Sequence, residues 1–361
     1  MNQLLIVLCI FFIINTYILY HKIKKANLKV KLINKALKEL DISVEKYNKR
    51  LMKFAARSVS LDQAKSIESE MFDQYAKKKI DSLRNGLNKD SNELLDYVLN
   101  TMKYWKFFKN SRFEKYKLTF PAYQYEYEKC WLSEHSKIGK IYNLASDLMT
   151  PEVFYFHHGL RFADQKILDY IKNKDILDCG AFIGDSVLVL QNYTQSTIYC
   201  YEFSKPNIEA FKNLMKANNC LKYRLISAAL GDKVQKIFIS KSKKVNSHQK
   251  LIEGSDEVVD ITTIDEDAKK YGFNVGLIKM DVQGAGMSVV RGGVETIKKH
   301  RPVLSLAVYH NTDELFGIKP FLEKHLDNYV FEFKLQQFHL GNFDEMILFA
   351  YPREIMEGQG K

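Results

Sequence analysis

Four titratable residues stand where apolar runs stop: Asp178 in DILDCG, Glu202 in TIYCYE, Asp281 in GLIKMD and His310 in SLAVYH. A carboxylate at a strand end can accept hydrogen bonds from ligand hydroxyls or attract a cationic group, and an acid or imidazole beside a hydroxyl can orient it or take its proton. Asp281 is the candidate for that second task, and His310 is the alternative base. His310 reads equally well as a strand-end histidine bonded to a backbone carbonyl. Between the first two acids the chain turns through Gly180 and Gly184, and Asp185–Ser186 can cap a helix running to about Tyr193. Glu202 follows Asp178 by 24 residues. An acid at that distance is placed to accept from both ribose hydroxyls of a nucleoside, while the helix start offers N–H groups to an anionic part of the ligand.

The turn lacks the G-x-G-x-x-G spacing of a dinucleotide site. Asp178 argues against a pyrophosphate as well, since a carboxylate there would repel it but would attract an ammonium or sulfonium. S-adenosylmethionine has a ribose, a carboxylate, an ammonium and a sulfonium, and no phosphate. Asp178, Gly180, Gly184, Asp185 and Glu202 are therefore the candidate cofactor-binding residues. The competing readings are an α/β turn with two incidental acids, and a nucleotide-sugar or NAD enzyme on a similar fold.

The segments DILDCGAFIGDS, YCYEFSKPNIEAFKNLMKANN, SAALGD, VVDITTIDE, GLIKMDVQGAGMSVVRGGVETIKKHRPVLSLAVYH and EMILFAYP, in that order, resemble the blocks of the FkbM-like methyltransferases over about residues 152–352. The resemblance implies a seven-stranded Rossmann-like methyltransferase fold, S-adenosylmethionine as donor, and methyl transfer to an oxygen acceptor, frequently a hydroxyl of a sugar or secondary metabolite. Asp281 would then lie near the methyl group. In the family the block after this strand usually reads Asp-Val-Glu-Gly with a further acid two residues on, whereas this chain has Gln283 and Gly286. Glutamine keeps the shape but cannot ionise. The expectation is an active enzyme with its donor-site residues intact; the alternative is a catalytically silent, membrane-tethered scaffold that binds the donor or its product.

The elements that must position these residues alternate between strand and helix. After the opening strand–turn–helix–strand come a helix at Asn207–Ala217, a strand at Tyr223–Ala228 and short strands at Lys236–Ser240 and Val258–Thr262. A strand at Val275–Asp281, a helix at Met287–His300, a strand at Val303–Tyr309 and a helix near Ile318–His325 follow. An antiparallel pair, Tyr329–Leu335 and Glu345–Tyr351, closes the chain. Alternation of this kind makes a parallel α/β sheet with ligands outside its C-terminal strand ends, where Asp178, Glu202, Asp281 and His310 fall. His157 and His158, just ahead of the domain, read as entry-loop residues.

Charge divides the 361 residues. Residues 1–150 carry 27 Lys and Arg against 16 Asp and Glu, whereas the remaining 211 carry 27 of each. A neutral catalytic part counts against nucleic acid as the acceptor, because a phosphate backbone needs clustered cations beside the cleft. Five cysteines (Cys9, Cys130, Cys179, Cys200, Cys220) without C-x-x-C spacing indicate neither a disulfide framework nor a zinc site. The positive charge follows an apolar N-terminus: Leu4–Ile14 is unbroken, the stretch continues to Tyr20, and His21–Lys38 carries seven lysines and no acid. This predicts an uncleaved anchor over residues 1–21 with the catalytic domain in the cytoplasm; a peripheral or buried apolar helix is the alternative.

Residues 22–150 read as a helical extension, with a heptad seam of Val30, Ile33, Leu37, Leu40, Val44, Tyr47, Leu51 and Phe54. The seam suits a membrane-proximal stalk that could join copies of the chain, and equally a hairpin packed on the catalytic domain. Aromatics crowd residues 101–131, among them Tyr104, Trp105, Phe113, Tyr127 and Trp131. They could stack on sugar faces, but core packing accounts for them more simply. The expected domains are thus an anchor (1–21), the extension (22–150) and the methyltransferase domain (151–361).

Overall fold

The computed structural model describes residues 75–108, 122–145, 148–239, 256–337 and 343–357, with side chains described throughout except at 102–126 and 135–136. The expected anchor, the lysine run, the heptad seam and the aromatics from Tyr104 to Tyr125 lie outside these residues or side chains. Among the described residues, no helix is long and apolar enough to cross a membrane.

Helices α1 (Ala76–Arg84), α2 (Lys89–Phe108), α3 (Ala122–Ile138) and α4 (Pro151–Phe154) precede a 3-10 turn at His157–Gly159 and α5 (Gln165–Ile171). The alternating part begins with β1 (Asp175–Cys179), α6 (Asp185–Leu190), β2 (Ile198–Tyr201), α7 (Lys205–Ala217) and β3 (Tyr223–Ile226). Next come β4 (Ala229–Leu230), β5 (Gln235–Ile239), β6 (Glu257–Thr262) and α8 (Ile264–Tyr271). Then β7 (Val275–Met280), α9 (Gly286–Arg291), α10 (Val294–His300), β8 (Val303–Ala307) and α11 (Thr312–His325) lead to β9 (Tyr329–Leu335), β10 (Met346–Pro352) and α12 (Glu354–Glu357).

Seven strands form one mixed sheet in the order β3-β2-β1-β7-β8-β10-β9. The first five run parallel, and β10 is antiparallel to both β8 and β9. The central strands β1, β2, β7 and β8 are buried at every residue, as continuous apolar runs covered on both faces should be. One hydrophobic cluster, with Leu188, Phe211 and Val153, covers one face, and another, with Val289, Ile297 and Leu315, covers the other. A separate three-stranded sheet has the order β4-β6-β5, with β6 parallel to β4 and antiparallel to β5.

Two expectations change. The single helix expected at Met287–His300 is two, because Gly292 passes so close to the Gly231 carbonyl oxygen that a Cβ there would lie 2.0 Å from it. The last helix starts earlier than Ile318: Asn311 Oδ1 accepts from the Glu314 N–H at 2.8 Å and caps it, and Pro320 is accommodated inside. Of the two arrangements open for the extension, its described part shows the packed one. Leu94, Leu95 and Val98 of α2 are fully buried in the cluster that also holds Phe331 and Phe333 of β9, and the Phe333 N–H donates to Ser91 Oγ at 3.0 Å. The described part of the extension therefore covers the edge strand of the sheet, where open backbone groups would otherwise invite pairing.

Candidate active site

The β1 turn is built from backbone contacts. The Gly180 and Ala181 N–H groups both donate to the Tyr201 carbonyl, and the Asp281 N–H donates to the Cys179 carbonyl, so the ends of β1, β2 and β7 are tied together. Gly180 has φ +85°, and a Cβ on it would lie 1.9 Å from the Asp281 carbonyl oxygen. Glycine is required here both for the backbone conformation and for the close approach. Gly184, at φ 84°, is the N-cap of α6. The expected capping by Asp185 is replaced: its carboxylate accepts only locally, from the Ser186 N–H at 3.1 Å, and α6 ends at Leu190 and not near Tyr193. Six residues make a weak anion site, so the turn's role is shape.

Two cavities, each of about 350 Å³, open at these strand ends and share Gly180, Phe182, Asp281 and Gln283. The first runs between Glu202, Phe203, Ala228–Leu230 and the Val282–Ala285 loop, and reaches His310. Glu202 is 7% exposed and accepts from the Ser204 N–H at 2.7 Å. Burial pushes its carboxyl above the usual range against the pull of these hydrogen bonds. A buried acid at one end, an apolar slot formed by Phe203 and Leu230, and exposed loop backbone fit the ribose, base and amino-acid parts of S-adenosylmethionine. The second cavity is lined by Glu152, Asp185, Glu345, Tyr309 and His158 among others.

Asp178 departs from its expected role. Its side chain is 0% exposed, it pairs with Lys279 Nζ at 2.9 Å, and it borders neither cavity. Lys279 is its register neighbour on β7 and also donates to the Gly180 carbonyl at 3.0 Å. Burial alone would depress the lysine, yet Asp178 and Asp281 outweigh it and hold the ammonium above its ordinary value. Asp178 thus serves the turn from beneath by pairing the cation that pins it, and the direct donor contact expected for it is not available.

Asp281 lies on the wall shared by both cavities. One carboxylate oxygen receives Gln283 Nε2 at 3.1 Å and faces His310 Nε2 at 3.1 Å; the other receives the Tyr309 hydroxyl at 3.2 Å. Burial would raise it, but His310, Lys279 and Tyr309 hold it well below the usual carboxylate range. His310 sits between two acids, with Nδ1 3.0 Å from Glu314 Oε2. Burial would lower the imidazole, but Asp281 and Glu314 carry it up to about 10. Set between the two carboxylates, His310 favours the charged form of Asp281, which fits a supporting role better than that of the alternative base.

Sequence reasoning missed Glu314, Glu345 and Tyr309. Glu314 Oε1 accepts from the Gly286 N–H at 2.8 Å and lies 2.7 Å from where a Cβ on residue 286 would be. A carboxylate from α11 thus occupies the space next to the position where the resembling family carries its further acid. Glu345, in the turn before β10 with φ 64°, accepts from the Tyr309 hydroxyl at 2.8 Å. His158 lines the second cavity, bonds Ser186 Oγ through Nε2 at 2.9 Å, and is held well below its ordinary value by burial and by Lys279. Tyr127 stacks on Phe162 at 4.7 Å, and Trp131 packs against Tyr155, which are packing roles. Among the described residues, no group of three or more His, Cys, Asp or Glu could hold a metal ion.

Residues 178–349 match the model of the methyltransferase FkbM domain. The crystal structure of a methyltransferase FkbM from Methylobacillus flagellatus aligns at 16% identity and a TM-score of 0.51 over 79% of this chain, which spans 62% of that protein's length. An rRNA methylase from Streptococcus thermophilus aligns at 8% identity and a TM-score of 0.36, covering 57% of this chain and 98% of its own. A precorrin-6y C5,15-methyltransferase from Geobacter metallireducens aligns at 13% identity and a TM-score of 0.31, over 51% and 83% respectively. No curated protein matches significantly.

Proposed function

We propose that this chain, whose residues 178–349 match the methyltransferase FkbM domain, takes S-adenosylmethionine as its donor and methylates a hydroxyl oxygen, and that the acceptor is a sugar of a bacterial surface glycan or its lipid-linked precursor. The observation that carries the reading is the place of Asp281, which borders both the donor-sized cleft and the cavity beyond it. When bound, the donor supplies an electrophilic methyl group on sulfur. Glu202 would accept from its ribose hydroxyls, and the Gly180 turn lets the ligand approach the backbone. Asp281, kept anionic by His310, accepts the hydrogen bond of the attacking hydroxyl and so aims an oxygen lone pair at the methyl carbon. The oxygen–carbon bond forms as the carbon–sulfur bond breaks with its electron pair staying on sulfur, and the hydroxyl proton leaves along its bond to Asp281. A carboxylate of low basicity makes this a late proton transfer, so orientation contributes more than basicity.

The N-terminal apolar run and the lysines after it support a tether that keeps this domain on the cytoplasmic side, near a lipid-linked acceptor. The neutral charge of residues 151–361 supports a non-nucleic-acid acceptor. Transfer of label from methyl-labelled donor into fractionated membranes and glycans of the source cell tests the reaction. Asp281→Asn is expected to lower that transfer by roughly 10²–10⁴-fold with donor affinity within a few-fold. Label found in protein or RNA, or full activity in the variant, would overturn the reading. Deletion of residues 1–21 should yield protein that is soluble without detergent and still binds donor.

A further inference from the structure

The two cavities differ in kind. Beyond the wall they share, the first holds Tyr201, Glu202 and His310 as its titratable groups, whereas the second gathers Glu152 from α4, Asp185 from α6 and Glu345 from the turn before β10. These three acids come from separate segments, and the Tyr309 hydroxyl, which donates to Glu345 at 2.8 Å and lies 3.2 Å from Asp281, links one of them to the shared wall. Four lining residues, His158 at φ 53°, Phe182 at φ 48°, Gln283 at φ 55° and Glu345 at φ 64°, hold left-handed backbone without being glycine. Strain of that kind persists where surrounding structure enforces it, and it gathers at ligand sites. His158 is enforced from both ends, by Ser186 on its ring and by the Ser305 hydroxyl, which donates to its carbonyl at 2.7 Å.

The cation that borders this cavity, Lys279, is committed to Asp178 and to the Gly180 carbonyl, and His158 is neutral. Among the described residues, an anionic ligand would therefore meet carboxylates with no further lining cation to compensate them. Burial keeps the Glu152 carboxyl near 7 and that of Asp185 near 6, so near neutrality the pocket offers both carboxylate acceptors and carboxylic-acid donors. Mixed donors and acceptors of this kind match the ring hydroxyls of a sugar, each of which both donates and accepts.

Resting on the methyltransferase reading, we propose that the second cavity is the acceptor pocket and that it takes a sugar ring without an anionic group, selecting against uronic acids and sugar phosphates. The acceptor ring sits among Glu152, Asp185, Glu345 and Tyr309 and presents one hydroxyl to Asp281. Glu152 and Glu345 are its anchors, and the donor cleft does not depend on them.

The test uses the full chain in detergent, saturated with S-adenosylhomocysteine, whose binding is first measured by calorimetry. Saturation-transfer NMR then compares the methyl glycosides of glucose, galactose, mannose, rhamnose and N-acetylglucosamine with methyl glucuronide and glucose 6-phosphate. At least one neutral glycoside should bind, and both anions should bind at least about tenfold more weakly than it does. Glu152→Gln and Glu345→Gln should each weaken the neutral ligand about tenfold while S-adenosylhomocysteine affinity, which also reports folding, stays within twofold. Binding of an anion as tight as its neutral counterpart overturns the selectivity. Neutral binding indifferent to both variants, or no neutral binding to donor-competent protein, overturns the pocket. Failure to bind S-adenosylhomocysteine would instead bring down the methyltransferase reading itself.

Discussion

Strands β1 and β2 lie side by side, and each brings a carboxylate to the same end of the sheet, but Asp178 is sealed inside it while Glu202 borders the cleft. The difference comes from the third strand. β7 places Lys279 in register with Asp178, and a buried ammonium beside a buried carboxylate leaves neither group for a ligand. β2 has β3 on its outer side, where Leu225 and Ile226 offer no cation, and Glu202 stays available. A strand-end acid thus stays open to the cleft or becomes an internal strut according to the residue one strand away.

The most damaging way to probe the contrast is Asp178→Ala, which strands Lys279 uncompensated in the sheet. A loss of about 3–5 kcal/mol of stability is expected, read by denaturant titration. Asp178→Leu combined with Lys279→Met should recover most of it, because replacing both charges removes the desolvation cost that breaking the pair exposes. If Asp178→Ala unfolds like the wild type but fails to bind donor, the strut assignment is wrong.

The third strand end supplies a pH test. The His310 value is raised in the fold from 6.5 to about 10, so its stabilising contribution is complete below about 6.5 and is lost as pH rises through 10. Asp281 is depressed, so its contribution holds above about 3.8 and is lost as pH falls further. Thermal melts should show a decline in stability toward alkaline pH that is smaller in His310→Gln, and NMR titration of His310 should show the raised value falling in Asp281→Asn. An imidazole titrating near 6.5 in the wild type would break the ion pair as described.

Glu202→Ala should do what Asp178→Ala does not: leave the melting temperature nearly unchanged and weaken donor binding by about 10- to 100-fold, since a pair of charge-assisted bonds is on the order of 1.5–3 kcal/mol. Calorimetry with S-adenosylmethionine decides it. The smallest effect belongs to Gln283→Glu. Glutamine already donates to Asp281 at 3.1 Å, and a second acid there would add repulsion that His310 and Lys279 partly offset. Methyl transfer should change by less than about tenfold. A large gain would mean that the loss of an acid at this position had crippled the enzyme.

Much was legible in the one-dimensional pattern. Buried parallel strands require unbroken apolar runs and tight turns require glycine at positive φ, so ILDCG, IYCY, GLIKM and VLSLA announce β1, β2, β7 and β8, and Gly180 the turn between the first two. The candidate acids followed, since a strand's last residue must emerge at the sheet's ligand-binding end. Their roles did not. Whether a carboxylate is a strut, a ligand contact or half of an ion pair depends on which side chain faces it, and Lys279 lies 101 residues from Asp178, while Glu314 and Glu345 reach the site from α11 and from a turn before the last strand. No local periodicity encodes those meetings. They arise when the sheet order 1-7-8-10 brings distant strand ends together, and it is that juxtaposition, under burial that magnifies each charge, which set His310 as a cation, hid Asp178 and filled the space beside Gly286 with a carboxylate from another helix.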